Sequence, residues 1–144
     1  MTKKPTVYQG PRSQPRATTP TESQIQKKLA RILDQAEVLW TATANGGKRD
    51  KKTAGALKAQ GVKPGVPDIL IFTPPPSGIG AGLAIELKRP RLNGKPKGRL
   101  SPHQRIWLEE LRTLGWRAEV AYGYDHAVEI LKGAGYSVES EETS

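Results

Sequence analysis

Between Gly65 and Lys88 the chain reads GVPDILIFTPPPSGIGAGLAIELK, two short apolar runs separated by a segment that can only turn. Ile69–Phe72 and Leu83–Leu87 are β-branched or aliphatic and of strand length, while Pro74, Pro75, Pro76 and the glycines after them exclude a helix between the runs. The simplest pairing is an antiparallel hairpin. A register symmetric about Gly78 brings the start of the first strand to the end of the second, gathering Asp68, Glu86 and Lys88. Side chains alternate along a strand, so Glu86 and Lys88 share one face while Ile85 and Leu87 point the other way into a core. Gly78, Gly80 and Gly82 are read as positive-φ positions of a wide loop; GIGAG lacks the GxGxxG spacing, and no helix follows it, so it is not a nucleotide-binding turn.

A chain of 144 residues can bury a core in one domain without covalent staples. With no cysteine, disulfides, zinc thiolates and thiol catalysis are excluded, and two histidines make a His-rich metal site an unfavoured reading. No apolar run approaches the roughly 20 residues that span a bilayer, and the Lys-, Pro- and Thr-rich N-terminus has no signal-peptide core. The expectation is a soluble, cytoplasmic protein with no membrane partner. The formal charge is +9; residues 1–20 contribute +4 and residues 136–144 contribute −3, leaving +8 on residues 21–135. A basic domain attracts polyanions, so nucleic acid is the first partner to consider and an anionic membrane the second.

Residues 1–20 set Pro5, Pro11, Pro15 and Pro20 among polar and basic side chains and read as a disordered basic arm before a domain over 21–135. Thr21 caps a helix with Gln24 as its capping-box partner, and Ile25, Leu29, Ile32, Leu33 and Ala36 form the buried stripe. Glu22 lies three residues before Ile25 and seven before Leu29, on the same face; taken alone it is a first-turn acid favoured by the helix dipole. Val38–Thr43 reads as a strand. The turn at Asn45, Gly46 and Gly47, followed by Lys48, Arg49, Lys51 and Lys52, puts four cations beside flexible backbone, a combination suited to phosphates. A short helix comes next, over about Thr53–Gln60, with Ala54 and Leu57 inward and Gly61 as its stop. Pro67 then restrains the backbone next to Asp68 and biases Val66 to extended geometry.

Beyond Lys88, RPRLNGKPKGR carries Arg89, Arg91, Lys95, Lys97 and Arg99 with no acid, in a Pro- and Gly-broken loop read as a basic flap. Ser101, Pro102 and Gln104 open the next helix, which buries Trp107, Leu108, Leu111 and Leu114 and ends at Gly115. Gln104 either completes the capping box or reaches a site on the sheet. Trp116–Tyr122 alternates as a strand with Ala118, Val120 and Tyr122 on one side, and Asp125 caps a final helix containing Val128, Ile130 and Leu131. His103 and His126 read as surface residues without a role, and residues 136–144 as an acidic tail that frays.

Two carboxylates and a lysine, flanked by basic loops, fit phosphodiester hydrolysis. That reaction needs an attacking water, neutralised phosphoryl oxygens and a stabilised leaving oxygen, all of which a divalent ion assists. Asp68 and Glu86 are the hard ligands for Mg²⁺, with waters and the Leu87 carbonyl completing the set, while Lys88 orients the water or stabilises the pentavalent state. A Glu-x-Lys triplet by itself is most simply a salt bridge on a strand. Its pairing with Pro67-Asp68 at the other end of the hairpin is much more specific.

Five segments occur in order: ESQIQ (Glu22–Gln26), NGGKR (Asn45–Arg49), GVKPGVPD (Gly61–Asp68), IELKRP (Ile85–Pro90) and SPHQRIWLEEL (Ser101–Leu111). Together they resemble the VRR-NUC domain of the PD-(D/E)xK nuclease superfamily, over nearly all of Thr21 to about Leu131. The resemblance implies an α/β fold with a restriction-endonuclease-like core, a mixed β-sheet flanked by α-helices, and Mg²⁺- or Mn²⁺-dependent cleavage of DNA. It implies that Asp68 and Glu86 are the metal-binding acids, Lys88 the catalytic lysine, Glu22 the helix glutamate and Gln104 the glutamine after the ExK strand. Ala42 stands where many relatives have a histidine, so no histidine-assisted step is inferred. Stand-alone domains of this size resemble phage or bacterial members, which implies homodimers acting on branched DNA such as four-way junctions. Two other readings fit the same residues: a sequence-specific restriction-type endonuclease, and a non-catalytic DNA-binding module.

Overall fold

The first helix starts by the mechanism its sequence encodes: Thr21 Oγ1 accepts from the Gln24 N–H at 3.1 Å, and Gln24 Oε1 accepts from the Thr21 N–H at 2.8 Å. Two backbone donors that the helix itself cannot satisfy are thereby paired. The computed structural model describes residues 21–43, 51–90 and 98–140. The arm at 1–20, Asn45, Lys48, Arg49, Arg91, Lys95, Lys97, the side chains of Lys51 and Lys52, and residues 141–144 lie outside the described residues. The elements are α1 (Glu22–Gln35), β1 (Trp40–Ala42), α2 (Lys51–Ala59), β2 (Ile69–Ile71), β3 (Leu83–Lys88), α3 (Pro102–Thr113), β4 (Arg117–Tyr122) and α4 (Tyr124–Gly133).

The strands form one mixed sheet in the order β1-β2-β3-β4, antiparallel at the first two junctions and parallel at β3–β4, where α3 makes the crossover. Strand alternation divides the core. On one face Ile69, Ile71, Leu83, Ile85, Leu87 and Ala121 meet Ile25, Leu29, Ile32 and Leu33 of α1 and Val128 and Leu131 of α4. On the other, Ala84 and Ala118 are covered by Leu108 of α3, with Leu70, Leu111, Trp116 and Val120 at the margin. Each fully buried Ile or Leu contributes roughly 1.5–3 kcal/mol, so the sheet is fastened from both sides. This is the helix-flanked mixed sheet of a restriction-endonuclease-like fold. No helix among the described residues is long and apolar enough to cross a membrane.

The hairpin forms, but its register is centred one residue earlier than expected. Ile69 pairs with Ile85 and Ile71 with Leu83, which is symmetry about Ser77 and not Gly78. The loop is held there from outside the hairpin: the Ser77 N–H bonds to the Ala134 carbonyl at 3.0 Å, and Pro75 is buried. Extended by one residue, this register sets Asp68 opposite Glu86, where a centre at Gly78 sets it opposite Lys88. Gly78 and Gly80 do take positive φ, but Gly82 does not. Gly82 is required by contact, because a Cβ there would lie 2.7 Å from the Trp116 ring and 2.8 Å from the Ile71 carbonyl oxygen.

Four further expectations are corrected. Ala54 is exposed, because among its described side chains α2 buries no face and only half-buries Leu57. Leu114 is 72% exposed, since it sits at the C-cap of α3, where the side chain leaves the helix's packed face. The N-cap of α4 is Gly123 (φ 93), not Asp125: the chain turns directly from β4 into the helix, and Asp125 falls in its first turn without capping it. Finally, the chain after α4 does not fray at residue 136. Tyr136 and Val138 are buried in the α1–α4 core, and the Tyr136 hydroxyl donates to the Thr73 carbonyl at 2.6 Å.

Tyr136→Ala is therefore expected to destabilise the domain by about 3 kcal/mol, read as a lower urea midpoint. A fraying segment would leave the midpoint unchanged.

Candidate active site

At the end of the sheet where β2 begins and β3 ends, three polar side chains converge. Asp68 stands just before β2, and its Oδ2 accepts the Leu87 N–H at 2.7 Å. The carboxylate thus takes the place of a ladder carbonyl and is held sideways against β3. From the other side Thr43 grips the same point: its N–H donates to the Asp68 carbonyl at 2.9 Å and its hydroxyl to the Pro67 carbonyl at 2.7 Å. Nothing in the sequence flags Thr43, since its partners lie 24 and 25 residues away.

Glu86 and Lys88 share a face of β3, as alternation requires, and Lys88 Nζ lies 3.6 Å from Glu86 Oε1. Glu86 is the one buried charged side chain among the described residues, 3% exposed, and its Oε2 has no hydrogen-bond donor there. Asp68, though adjacent, cannot donate as a carboxylate. A proton shared between the two acids, or a cation, would satisfy the orphaned oxygen. Burial, reinforced by the negative charge of Asp68, pushes the Glu86 carboxyl up to about 8, against the opposing pull of Lys88. Asp68 is raised as well, because burial outweighs the Leu87 amide and the Lys88 charge. Two acids crowded into a dry site are a poor arrangement for an apo protein and a good one for binding a cation.

The Leu87 backbone faces the same point. Its N–H reaches Asp68, whereas the Lys88 carbonyl points oppositely, toward the Gly123 N–H at 3.0 Å. Backbone groups alternate sides residue by residue, so the Leu87 carbonyl projects toward the Asp68 side with its N–H. No group of three or more His, Cys, Asp or Glu side chains able to hold a metal occurs among the described residues. Asp68, Glu86 and the Leu87 carbonyl form an all-oxygen set of the kind that suits Mg²⁺ or Mn²⁺ retaining several waters.

Glu22 is exposed in the first turn of α1, yet its charge reaches Glu86 and adds to the upward shift there. Gln104 is tied to its own cap, where Oε1 accepts the Ser101 N–H at 2.8 Å. The cap engages the side-chain oxygen and not the NH₂. The α3 N-terminus is close by, since a Cβ on Gly65 would fall 2.5 Å from the His103 carbonyl carbon. Arg89 and Arg99 are exposed at the two ends of the flap, whose Gly98 N–H returns to the Arg89 carbonyl at 3.0 Å. In the sequence Tyr122 and His126 carry no assigned role and His126 reads as a surface residue, whereas it is half-buried. Tyr122 is the register partner of Lys88, its ring stacks on His126 with centroids 6.0 Å apart, and its N–H donates to His126 Nδ1 at 2.9 Å. That bond places the imidazole proton on Nε2. Strand alternation puts Val120 and Tyr122 on one face of β4, but the register that sets Tyr122 beside Lys88 comes only from the parallel pairing.

A family model described as the VRR-NUC domain matches residues 20–125. A solved structure titled "VRR_NUC domain protein" superimposes with a TM-score of 0.57 at 22% sequence identity, covering 76% of this chain and 86% of that one. A search of curated proteins found no match.

The raised Glu86 carboxyl links stability to pH. Below about 4.5, its ordinary value, it is protonated whether the chain is folded or not; between there and about 8 only the unfolded chain ionises fully, so metal-free stability falls as pH rises. Glu86→Gln is expected to remove this loss. In EDTA its melting temperature should exceed the wild type's by on the order of 5 °C at pH 8.5 and by little at pH 5, measured by differential scanning calorimetry.

Proposed function

Because the chain belongs to the VRR-NUC domain family, and so has a nuclease-like function, we propose that it is a Mg²⁺- or Mn²⁺-dependent DNA endonuclease acting preferentially on branched DNA. The observation that carries the reading is the buried Glu86 carboxylate, with one oxygen orphaned, between Asp68 and Lys88. Asp68, Glu86 and the Leu87 carbonyl would hold the ion, which supplies charge neutralisation at the phosphoryl group and a more acidic bound water. Lys88 places an ammonium on the same face as Glu86, available to a phosphoryl oxygen or to the attacking water. The Leu87 N–H prevents Asp68 from swinging away, and Thr43 fixes the backbone from which Asp68 springs. Glu22 adds negative charge at the rim, and Gln104 offers an amide donor on the α3 side. Arg89 and Arg99, with Asn45, Lys48, Arg49, Arg91, Lys95 and Lys97 of the two basic loops and Lys51 and Lys52 at the start of α2, are assigned to the phosphate backbone.

Cutting both strands of a junction symmetrically requires two active sites related by a two-fold axis, so the acting species is proposed to be a homodimer. Labelled four-way junction, linear duplex and single strand, each incubated with Mg²⁺, Mn²⁺ or EDTA, test the whole reading. Junction nicking that needs metal and drops at least about 10³-fold in Asp68→Ala and Lys88→Ala is the expected result. Persistent cleavage by both variants would remove these residues from the site. Discrete bands from long plain duplex would point to a restriction-type enzyme, and binding without cleavage in any metal to a DNA-binding module.

A further inference from the structure

The excursion between β1 and β2 is rooted at the site and poorly explained by the fold. Its two ends are joined at Asp68 itself, through the Thr43 N–H to the Asp68 carbonyl and the Thr43 hydroxyl to the Pro67 carbonyl. Residues 51–67 hold Lys51, Lys52, Lys58 and Lys63 and no acid. Within them α2 is a helix with almost no interior: Thr53–Ala56, Lys58 and Ala59 are exposed and Leu57 is half-buried. A nine-residue helix is marginal without packing. Gly55 weakens it further, and no contact demands a glycine there, because a Cβ would meet nothing within 4 Å.

The turn behind the helix is, by contrast, well anchored. The Gly61 N–H bonds to the Lys58 carbonyl at 3.0 Å and the Val62 N–H to the Leu57 carbonyl at 3.0 Å, with Gly61 at φ 97 closing the helix as an αL stop. Gly65, at φ 87, then lies against the α3 backbone, where any side chain would collide. Lys58 and Lys63, both exposed, therefore flank this anchored stop on the segment that leads into Asp68. Among the described side chains this surface half-buries only Leu57 before Gly65, carries one sign of charge and is tied to the strand ends at Asp68. Its complement is a polyanion seated at the same site.

We propose that α2 and the turn behind it, through Lys58 and Lys63, hold the sugar–phosphate backbone of a DNA duplex beside the bond being cleaved. This rests on the nuclease reading above and extends it to two lysines that reading does not use. Lys58 and Lys63 each neutralise a phosphate flanking the scissile one, so they set affinity and its salt dependence, while the chemical step belongs to the Asp68 cluster.

The test is binding of the full chain to a labelled DNA duplex in EDTA over a series of salt concentrations, beside single-turnover cleavage of saturating junction in Mg²⁺. The double variant Lys58→Ala/Lys63→Ala is compared with wild type and with Lys132→Ala, an exposed lysine on α4. The expected result is an affinity loss of about tenfold and a salt-dependence slope shallower by about two in the double variant. Lys132→Ala should keep the wild-type values, and all three proteins the same cleavage rate once bound. Wild-type affinity and slope in the double variant, an equal loss in Lys132→Ala, or a wild type that binds no duplex would overturn the proposal. If wild type cleaves junctions while the double variant binds normally, the α2 surface falls and the nuclease reading stands. If the slope change appears in proteins that cleave nothing in any metal, the α2 surface stands and the nuclease reading falls.

Discussion

The hydrogen bond from the Leu87 N–H to the Asp68 carboxylate, 2.7 Å long, joins the start of β2 to the end of β3 at the point where the ladder would otherwise stop. Everything polar in the site is arranged around it. It pins one acid against the strand that carries the other, and it orients the Leu87 backbone toward the pair. Because β3 also pairs in parallel with β4, the same bond ties the acids to Tyr122 and, through the Gly123 N–H, to the start of α4. A charged acceptor makes such a bond stronger than a neutral ladder bond, which suits a position at the sheet's end.

The cost of the arrangement is carried by Glu86. A carboxylate 3% exposed, beside a second carboxylate and with one oxygen unpaired, opposes folding at neutral pH in the absence of a cation. The two-sided core is what makes this tolerable. Ile85 and Leu87, the neighbours of Glu86 in the strand, are fully buried on the opposite face against α1 and α4, so β3 cannot twist to release its acid to solvent. Lys88 at 3.6 Å relieves part of the charge but leaves the Oε2 side open. Local destabilisation supported by the surrounding core is the usual signature of a site organised for a ligand.

Much of this was legible in the residues. The period-two pattern of LAIELK predicted that Glu86 and Lys88 share a face and Ile85 and Leu87 the other, and both α1 and α3 open with the capping boxes their sequences spell. The errors have a common cause. Alternation says which residues share a face but not where a loop is pinned, so the hairpin centre moved from Gly78 to Ser77 when the Ala134 carbonyl captured the loop. Tyr136 and Val138 read as part of a polar tail because the core cluster they join is built largely from α1 and the sheet, far away in sequence. Gln104 has the residue type for either of two roles, and the structure shows its oxygen committed to the cap.

By itself the sequence determined the inventory and its local geometry: two acids and a lysine on strand ends, helices with their starts, a basic and cysteine-free domain, and the segments by which the family was recognised. These arise from propensities, caps and side-chain alternation, which act over a few residues. The tertiary structure alone decided that Asp68 faces Glu86 and accepts from Leu87, that Thr43 locks both ends of the β1–β2 excursion, and that one Glu86 oxygen is buried without a donor. Those outcomes depend on register and burial, which are set by contacts between residues distant along the chain, and no local pattern encodes them.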